Sequence, residues 1–282
     1  MNILFLGGDL RQRYACNYLN KNKYSAKEFL DFNIKDIDNE LLSADVIALP
    51  IPASRDGVHL NMPQGADEKV TINDILERIR ENTVVIGAKL TQKVKEVALN
   101  RSITTLDYMD IEPFQIKNAL LSAEGAIYYA KQKIERSIHG LEILIFGCGR
   151  IGKILAYLLS AHGAKVTVIA RRDIDLTWSS LIGYGTLKIP RNTLTIKSKP
   201  DIIFNTIPYQ IIDEKFLNWI DNDTVIIDLA SFPYGVDEEL IKKYNLNYHH
   251  ELGIPGRYAP QSAGEIIGQT IIDYVLVRED LH

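Results

Sequence analysis

The stretch that decides the fold lies in the middle of the chain and reads Leu141-Glu-Ile-Leu-Ile-Phe-Gly-Cys-Gly-Arg-Ile-Gly152. A short apolar run leads into a G-x-G-x-x-G turn. A helix is predicted from Ile151 to His162, and Lys165-Val-Thr-Val-Ile169 is predicted to form a second strand. Strand, glycine turn, helix and strand in this order make the setting that a dinucleotide-binding turn requires. The stretch therefore predicts a nucleotide site at its glycines.

Each glycine of the turn has a separate physical task. Gly147 permits the tight turn, Gly149 lets the backbone approach a pyrophosphate, and Gly152 lets the helix pack against the strand. The backbone N–H groups at the helix start, together with the helix dipole, favour bound phosphate. The predicted cofactor-binding residues here are Gly147, Gly149, Arg150, Ile151 and Gly152. The alternative is a doubly wound domain that uses these glycines only for packing.

The end of the second strand distinguishes the two nicotinamide cofactors. An NAD site usually places Asp or Glu there to bind the ribose 2′-hydroxyl. Here the strand ends Ile169-Ala170-Arg171-Arg172, and the first carboxylate follows at Asp173. A guanidinium group can bind a 2′-phosphate through two hydrogen bonds. The pattern favours NADP over NAD, and the alternative is that both arginines are solvated loop residues.

Composition limits the class of protein. The 282 residues are enough for two domains, and 46% hydrophobic with 24% charged residues is ordinary for a globular protein. A formal charge of −4 without a long basic tract argues against nucleic-acid binding. Cys16 and Cys148 show no metal-ligand spacing, so no metal is expected. The apolar run at residues 3–6 is too short for a signal sequence or membrane span. We expect a cytoplasmic protein.

The whole chain alternates between strand and helix patterns. In the first lobe, strands are predicted at 2–6, 45–49, 83–86 and 102–106, and helices at 10–20, 71–80 and 91–100. In the second lobe, further strands are predicted at 201–204, 224–228 and 245–249. Short apolar runs separated by helices indicate parallel strands that are covered on both faces. The predicted fold class is α/β, with two doubly wound Rossmann-like lobes.

Two long helical patterns flank the cofactor lobe. One runs from Ser122 to about Arg136 and the other from Ser262 to about Val277, each with its serine as a candidate N-cap. They predict that the chain crosses to the second lobe once and returns once, leaving a cleft between the lobes. The predicted divisions are a catalytic lobe (1–121), a connecting helix (122–138), an NADP-binding domain (139–261) and a returning helix (262–282).

Loops at strand ends supply the remaining candidate residues. Thr206-Ile207-Pro208 is expected along the nicotinamide ribose, and Ala230-Ser231 at the nicotinamide amide. For a substrate carboxylate the candidates are Arg11, Ser122, Glu124, Gly256 and Arg257. The alternatives are ordinary loop residues, a surface salt bridge for Arg11, and a purely structural helix start for Ser122 and Glu124. A general-base role for His249 or His250 beside Glu251 is the weaker interpretation of that pair.

The combination of these segments resembles the A-subunit family of dipicolinate synthase, from endospore-forming bacteria. The segments that carry the resemblance are Gly7-Gly8-Asp9-Leu10-Arg11-Gln12, Ser122-Ala123-Glu124-Gly125, His139-Gly140, Gly147 to Gly152, Asn205-Thr206-Ile207-Pro208, Asp228-Leu229-Ala230-Ser231, Gly253-Ile254-Pro255-Gly256, Ala259-Pro260 and Ala263-Gly264. The chain departs from the expected pattern at Phe232, Tyr234 and Lys89. These departures bear on the substrate contacts and not on the fold.

The resemblance implies oxidation of a dihydrodipicolinate-type ring to pyridine-2,6-dicarboxylate, with hydride transfer to NADP, in the mother-cell cytoplasm during sporulation. It also implies a flavoprotein-like partner, the B-subunit of dipicolinate synthase, and a homo-oligomer is compatible with the sequence. Two alternatives stay open: another two-lobed NADP-dependent dehydrogenase acting on a hydroxy or amino acid, and a non-catalytic nucleotide-sensing module. A D-2-hydroxy-acid dehydrogenase would need an Arg, Glu and His set that the sequence does not align.

Overall fold

The chain forms two compact α/β units in a computed structural model, which describes residues 1–66, 69–189 and 198–276. Unit 1 comprises Met1–Asn118 and the C-terminal residues from Pro255 onward, and unit 2 comprises Ala119–Ile254. The chain therefore leaves unit 1 once and returns to it once. Each unit has its own parallel sheet, so the predicted α/β fold class is confirmed.

Within the described part of unit 1, the sheet contains five parallel strands. They are β1 (Asn2–Leu6), β2 (Ser25–Phe29), β3 (Val46–Ala48), β4 (Val84–Gly87) and β5 (Thr104–Asp107). Their spatial order is β2-β1-β3-β4-β5, so the order reverses between β1 and β3. The sequence did not predict β2, whose Ser-Ala-Lys-Glu-Phe run lies at the sheet edge and is too polar for a buried-strand pattern.

Helices cover both faces of this sheet. They are α1 (Leu10–Lys21), α2 (Asp38–Ser43), α3 (Ile72–Arg78) and α4 (Gln92–Asn100). Side-chain caps fix three of the starts: Asp9 accepts from the Arg11 N–H, Thr71 forms a capping box with Asp74, and Thr91 accepts from the Val94 N–H. Two apolar clusters, one on each face, form the core.

The long helix α5 (Glu112–Lys131) runs from unit 1 into unit 2. The predicted start at Ser122 is wrong by ten residues, since Ser122 and Glu124 lie in the middle of this helix. The start at Glu112 suits Pro113, because proline lacks an N–H and the first-turn N–H groups have no partner within the helix. The helix ends at Lys131, short of the predicted end near Arg136, and His139 lies in a turn eight residues beyond Lys131.

Within the described part of unit 2, the sheet contains six parallel strands. They are β6 (Glu142–Phe146), β7 (Lys165–Ala170), β8 (Gly185–Lys188), β9 (Ile202–Asn205), β10 (Val225–Asp228) and β11 (Tyr248–His250). The order β11-β10-β9-β6-β7-β8 reverses between β6 and β9. In such open sheets, ligands bind at the carboxyl ends of the strands at this reversal.

The helices of unit 2 are α6 (Arg150–Ala161), α7 (Asp173–Ile182), α8 (Glu214–Leu217) and α9 (Glu238–Lys243). The sequence predicted α6 to within one residue at each end but did not predict α7 or β8. Much of the apolar surface of α7 faces outward, including Ile174, Trp178 and Leu181. An exposed apolar face breaks the periodic pattern on which a prediction of an amphipathic helix relies.

The chain returns through α10 (Ile254–Tyr258) and α11 (Pro260–Ile271), followed by a π-helical turn (Ile272–Leu276). The predicted N-cap Ser262 is wrong, because α11 begins at Pro260 and Ser262 lies in its first turn. Gly264 lets α11 pack closely on α1, since a Cβ there would lie 2.4 Å from Cβ of Tyr14. The predicted end near Val277 lies outside the described residues.

Candidate functional site

In the glycine turn between β6 and α6, two of the three glycines are packed too closely against neighbouring atoms to carry a side chain. Gly147 has φ +104°, a conformation that favours glycine, and a Cβ there would lie 2.2 Å from Oγ1 of Thr206. A Cβ on Gly152 would lie 2.2 Å from the carbonyl oxygen of Gly147. Both positions therefore require glycine for the packing of α6 and β9 against the turn.

Gly149 is different, because it faces open space. A Cβ added there would meet no protein atom within 4 Å, and its φ of −81° is accessible to any residue. Gly149 is also the N-cap of α6 and provides no side-chain cap for the first-turn N–H groups. Packing does not explain this glycine, whereas close approach of a phosphate to N–H groups at a helix start does. The residues present thus fit the pyrophosphate of a dinucleotide.

Thr206 and Ile207 lie directly beside this turn, at the carboxyl end of β9. The N–H and Oγ1 of Thr206 each donate to the carbonyl oxygen of Phe146, both at 2.9 Å. Asn205 holds the loop by accepting from the Ile207 N–H at 3.1 Å and donating to the Ile207 carbonyl oxygen at 3.0 Å. Pro208 follows in an exposed position. The structure therefore brings Thr206 and Ile207 together with Gly147, at the point where the strand order reverses.

A buried carboxylate organises the neighbouring loops. Asp228 is fully buried, and its Oδ1 accepts from Asn205 Nδ2 at 2.8 Å and from the Ala230 N–H at 3.0 Å. Its Oδ2 accepts from the Gly235 N–H at 2.6 Å and from the Tyr248 hydroxyl at 2.8 Å. Burial, and after it the adjacent Asp228 carboxylate, raises the pKa of Tyr248, which keeps that hydroxyl a donor. These four bonds connect the carboxyl ends of β9 and β10 with the loop after β10 and with the first residue of β11.

A hydrogen bond between Asn205 and Asp228 was not predicted from the sequence. Asn205 and Asp228 are the last residues of two consecutive apolar strands. A polar residue at the end of each strand is the sequence feature from which this pair could have been predicted. Ala230 is buried behind this network and Ser231 is exposed. The network therefore positions the Ala230–Ser231 backbone that the sequence predicts to contact the nicotinamide amide, and that role stays a prediction.

An aromatic cluster follows Ser231. Phe232 is 79% exposed, its ring packs edge-on against Tyr234, and the Tyr234 ring lies 4.2 Å from the His250 ring. One ring nitrogen of His250, Nε2, lies 3.0 Å from the Ala230 carbonyl oxygen. Burial and the nearby Lys133 lower the pKa of His249, whose Nε2 lies 2.9 Å from Oδ1 of Asn247. A general-base role for either histidine stays a prediction.

The two arginines after β7 have different surroundings. Nε and Nη2 of Arg172 donate to the two carboxylate oxygens of Asp175, at 2.7 and 2.8 Å, and this pairing raises the pKa of Arg172. Arg171 is exposed and makes no hydrogen bond or ion pair with any residue in the described ranges. Arg171 is therefore the guanidinium available to an added anion, whereas Arg172 must first separate from Asp175.

The predicted substrate residues Arg11 and Gly256 lie together in unit 1. Nε and Nη2 of Arg11 both donate to Asp9 at 2.8 Å, and Nη2 also donates to the Ile51 carbonyl oxygen at 2.7 Å. A Cβ on Gly256 would lie 2.8 Å from Nε of Arg11. Arg11 is thus already paired, and only 11% of its side chain is exposed. Its role as a carboxylate ligand stays a prediction.

The other predicted substrate residues are not gathered at a helix start. Ser122 is buried and Glu124 is half-buried, both within α5, so the backbone N–H of Ser122 is committed to the helix. Ser122 is therefore not at a helix start with free N–H groups, and a substrate contact of Ser122 or Glu124 stays a prediction. Arg257 is exposed on the short helix α10. Arg150 is the first, exposed residue of α6, and Ile151 packs against the core of unit 2.

Comparisons with known proteins find similarity to dipicolinate synthase over nearly the whole chain. Residues 2–109 match the family described as the N-terminal domain of the dipicolinate synthase A-subunit. The dipicolinate synthase A-subunit of Bacillus subtilis (strain 168) is 26% identical over 286 residues, which cover 96% of this chain and 94% of that protein. The chain is homologous to the A-subunit of dipicolinate synthase. Residues 143–229 also match the family described as ketopantoate reductase PanE/ApbA.

Solved structures of the dipicolinate synthase A-subunit share this fold. The structure from Bacillus subtilis superposes with a TM-score of 0.84 at 25% identity, covering 100% of this chain and 98% of that one. The structure from Bacillus halodurans gives 0.83 at 26% identity, with 96% of each chain covered. A D-lactate dehydrogenase from Treponema pallidum gives 0.65 at 11% identity, covering 99% and 97%, and shows the fold alone.

The described residues contain neither a candidate membrane-spanning helix nor a candidate metal site. No helix within residues 1–66, 69–189 and 198–276 is long and apolar enough to cross a membrane. Among the same residues, no group of three His, Cys, Asp or Glu side chains is placed to hold a metal ion.

Proposed function

We propose that this chain is the oxidoreductase subunit of a dipicolinate synthase and oxidises a dihydrodipicolinate-type ring to pyridine-2,6-dicarboxylate, with NADP as hydride acceptor. The observation that carries the proposal is homology to the dipicolinate synthase A-subunit over 96% of the chain, together with an open glycine turn that fits a dinucleotide. The name of that relative, which is one subunit of a synthase, supports a partner chain. By resemblance this partner is the flavoprotein-like B-subunit. The expected compartment is the mother-cell cytoplasm.

The reaction balances without a metal or a covalent intermediate. The dihydropyridine ring loses one hydride to NADP and one proton, and it becomes aromatic. Because aromatisation supplies most of the driving force, the protein chiefly needs to orient the ring and neutralise its two carboxylates. NADP, when bound, supplies the hydride acceptor. The protein contributes the Gly149 turn for the pyrophosphate, and the Asp228 network positions the loops after β9 and β10.

NADP is the preferred cofactor in this proposal because of Arg171. No carboxylate ends β7, and Asp175, the buried acidic residue that follows, is held by Arg172. A ribose 2′-hydroxyl therefore lacks its usual carboxylate partner, whereas a 2′-phosphate has an exposed guanidinium available. Arg171 is thus expected to contact the 2′-phosphate, with Arg172 in a secondary role.

Replacing Arg171 with Ala should weaken NADPH binding by about 1–3 kcal/mol, the value of a charge-assisted hydrogen bond, and leave NADH binding nearly unchanged. Arg172→Ala is the matched control and should have the smaller effect on NADPH, because its guanidinium is paired with Asp175. Fluorescence titration of both cofactors measures the difference. Equal affinity of the unmodified protein for NADPH and NADH would remove the basis of this prediction.

The activity assay separates the proposed function from the two alternatives. Purified protein is supplied with NADP and enzymatically generated dihydrodipicolinate, with and without the B-subunit, and in parallel with small hydroxy and amino acids. Formation of an ultraviolet-absorbing pyridine dicarboxylate supports the proposal. Cofactor reduction only with a hydroxy or amino acid indicates another dehydrogenase. Cofactor binding without turnover on any of these substrates indicates a nucleotide-sensing module.

A further inference from the structure

A second ligand-sized site lies in unit 1, in the loop that follows β3. This loop borders a cavity of about 290 Å³ whose lining includes Arg55, Asp56, His59, Leu60, Asn61 and Lys69. Its position is informative, because the strand order of unit 1 reverses between β1 and β3. Open parallel sheets bind their ligands at the carboxyl ends of the strands at this reversal.

The loop is anchored to the turn that follows β1. The Gly8 N–H donates to the Asn61 carbonyl oxygen at 2.7 Å, and Asn61 Nδ2 donates to the Pro52 carbonyl oxygen at 3.1 Å. A Cβ on Gly7 would lie 2.9 Å from the Leu60 side chain, so the turn and the cavity wall are in close contact. The cavity is therefore attached to the reversal point by one backbone hydrogen bond and by close packing.

Among the described residues that line this cavity, the two cations lack a partner and the carboxylate is paired. Arg55 and Lys69 are exposed, and neither makes a hydrogen bond or ion pair with any residue in the described ranges. The one described carboxylate of the lining, Asp56, is occupied: its Oδ2 lies 2.7 Å from His59 Nδ1, and its Oδ1 accepts from the Val58 and His59 N–H groups. Arg55 and Lys69 thus line one cavity, and neither contacts an anionic group of the described residues.

Asp56 also fixes the histidine. Hydrogen bonds from the His59 ring and then from the Val58 and His59 N–H groups hold the pKa of Asp56 well below its usual range. The ionised carboxylate orients the imidazole through Nδ1, and Nε2 makes no hydrogen bond with any residue of the described chain. His59 therefore offers one ring nitrogen to a ligand in this cavity. The imidazole is held before a ligand arrives, which lowers the cost of its contact with the ligand.

We propose that this cavity is the carboxylate-binding site for the substrate, with Arg55 and Lys69 pairing with the two carboxylates of a small dicarboxylic acid and His59 contacting the ring between them. This inference rests on the proposed function for the identity of the acid. Arg11, one of the two arginines that the sequence predicted to bind the substrate, is paired with Asp9, whereas Arg55 and Lys69 make no ion pair within the described ranges. Three described residues of this loop, Arg55, His59 and Lys69, then do more than border the site, because they supply its contacts to the acid.

Binding of dipicolinate itself tests the site without requiring turnover. Calorimetric titration compares pyridine-2,6-dicarboxylate, its monocarboxylate picolinate, and inorganic phosphate, with EDTA present to exclude chelated metal. The unmodified protein should bind dipicolinate about tenfold or more tightly than picolinate, because the second carboxylate gains a charge-assisted contact. Arg55→Ala and Lys69→Ala should each lose about tenfold in dipicolinate affinity and most of this preference, while picolinate affinity changes less.

The control variant is Lys27→Ala, which removes one exposed cation from β2 of the same unit, outside the cavity lining. It should leave dipicolinate affinity unchanged, whereas a general charge effect would lower it as much as Lys69→Ala does. His59→Asn, which loses the imidazole, should weaken dipicolinate and picolinate alike. Circular dichroism of each variant verifies that the fold is retained.

The outcomes separate this inference from the proposed function. A protein that makes dipicolinate, but whose Arg55→Ala and Lys69→Ala variants bind it as tightly as the unmodified chain, overturns the site and leaves the function standing. If the protein makes no dipicolinate but both variants lose the preference for dipicolinate over picolinate, the cavity is still a dicarboxylate site and the proposed function is wrong. Tighter binding of phosphate than of dipicolinate, or no dipicolinate binding at millimolar concentration, contradicts the proposed ligand.

Discussion

Replacing Gly149 with Val should abolish measurable cofactor binding while the protein still folds. The backbone at Gly149 is accessible to valine, and a Cβ at this position meets no protein atom within 4 Å. The space it fills is that in which a pyrophosphate would approach the first N–H groups of α6. We expect NADPH affinity to fall about a hundredfold or more, because at least two charge-assisted hydrogen bonds of about 1.5–3 kcal/mol each are lost. Fluorescence titration and thermal unfolding of the same samples measure both results.

Two further glycine variants provide the controls. Gly149→Ala should weaken NADPH to an intermediate degree, because a single methyl group intrudes less. Gly152→Ala should instead lower the melting temperature, since its Cβ would lie 2.2 Å from a backbone oxygen and the turn must shift. Normal NADPH binding by folded Gly149→Val protein would show that the phosphates bind elsewhere.

Replacing Asp228 with Ala should strongly destabilise unit 2. The buried carboxylate accepts from four donors. Its removal leaves three of them, the Ala230 and Gly235 N–H groups and the Tyr248 hydroxyl, without their described partner, whereas Asn205 keeps its bond to the Ile207 carbonyl oxygen. Each buried unsatisfied donor costs about 1–3 kcal/mol, and breaking a buried polar network typically costs about 3–5 kcal/mol in total. We expect the free energy of unfolding to fall by at least about 3 kcal/mol. Loss of cofactor affinity should follow, because the loops after β9 and β10 lose their common anchor.

Urea unfolding followed by tryptophan fluorescence measures this loss selectively. The chain has two tryptophans, Trp178 and Trp219, and both lie in unit 2. Asp173→Ala is the matched control, because it removes an exposed carboxylate of the same unit that pairs with Lys188. An exposed ion pair contributes about 1 kcal/mol or less, so the control should stay close to the unmodified protein. Similar losses in the two variants would mean that the Asp228 network does not stabilise the unit.

The elements that could be predicted from sequence are those whose pattern records burial. The apolar runs of β1, β6 and β10 are buried on both faces of their sheets, and the Gly147–Gly152 spacing marks the turn after β6. Elements at a sheet edge or with an exposed apolar face, such as β2 and α7, do not show a pattern of buried apolar residues in the sequence. The start of α5 was misplaced for another reason: Ser122 resembles an N-cap, whereas Pro113 in the first turn marks the observed start.

For the site, sequence predicts residue types but not how their charges are paired. Arg11, Arg171 and Arg172 all looked available to an anion. The structure pairs Arg11 with Asp9 and Arg172 with Asp175, both carboxylates two or three residues away. Local pairs of this kind depend on the backbone path at a helix start, which single residues do not specify. The cavity cations Arg55 and Lys69 lie in an irregular loop, where periodicity gives no information about which side chains meet.

The most direct test of the central claim is the stoichiometry of a single turnover. Protein in excess over enzymatically generated dihydrodipicolinate, with NADP and the B-subunit present, is followed by the separate absorbance changes of NADPH and of pyridine-2,6-dicarboxylate. The proposed hydride transfer predicts one NADPH for each dipicolinate at the same rate, and neither product with the Gly149→Val variant. Dipicolinate formed without NADPH, or at the same rate when NADP is omitted, would contradict the claim that this chain catalyses an NADP-dependent oxidation.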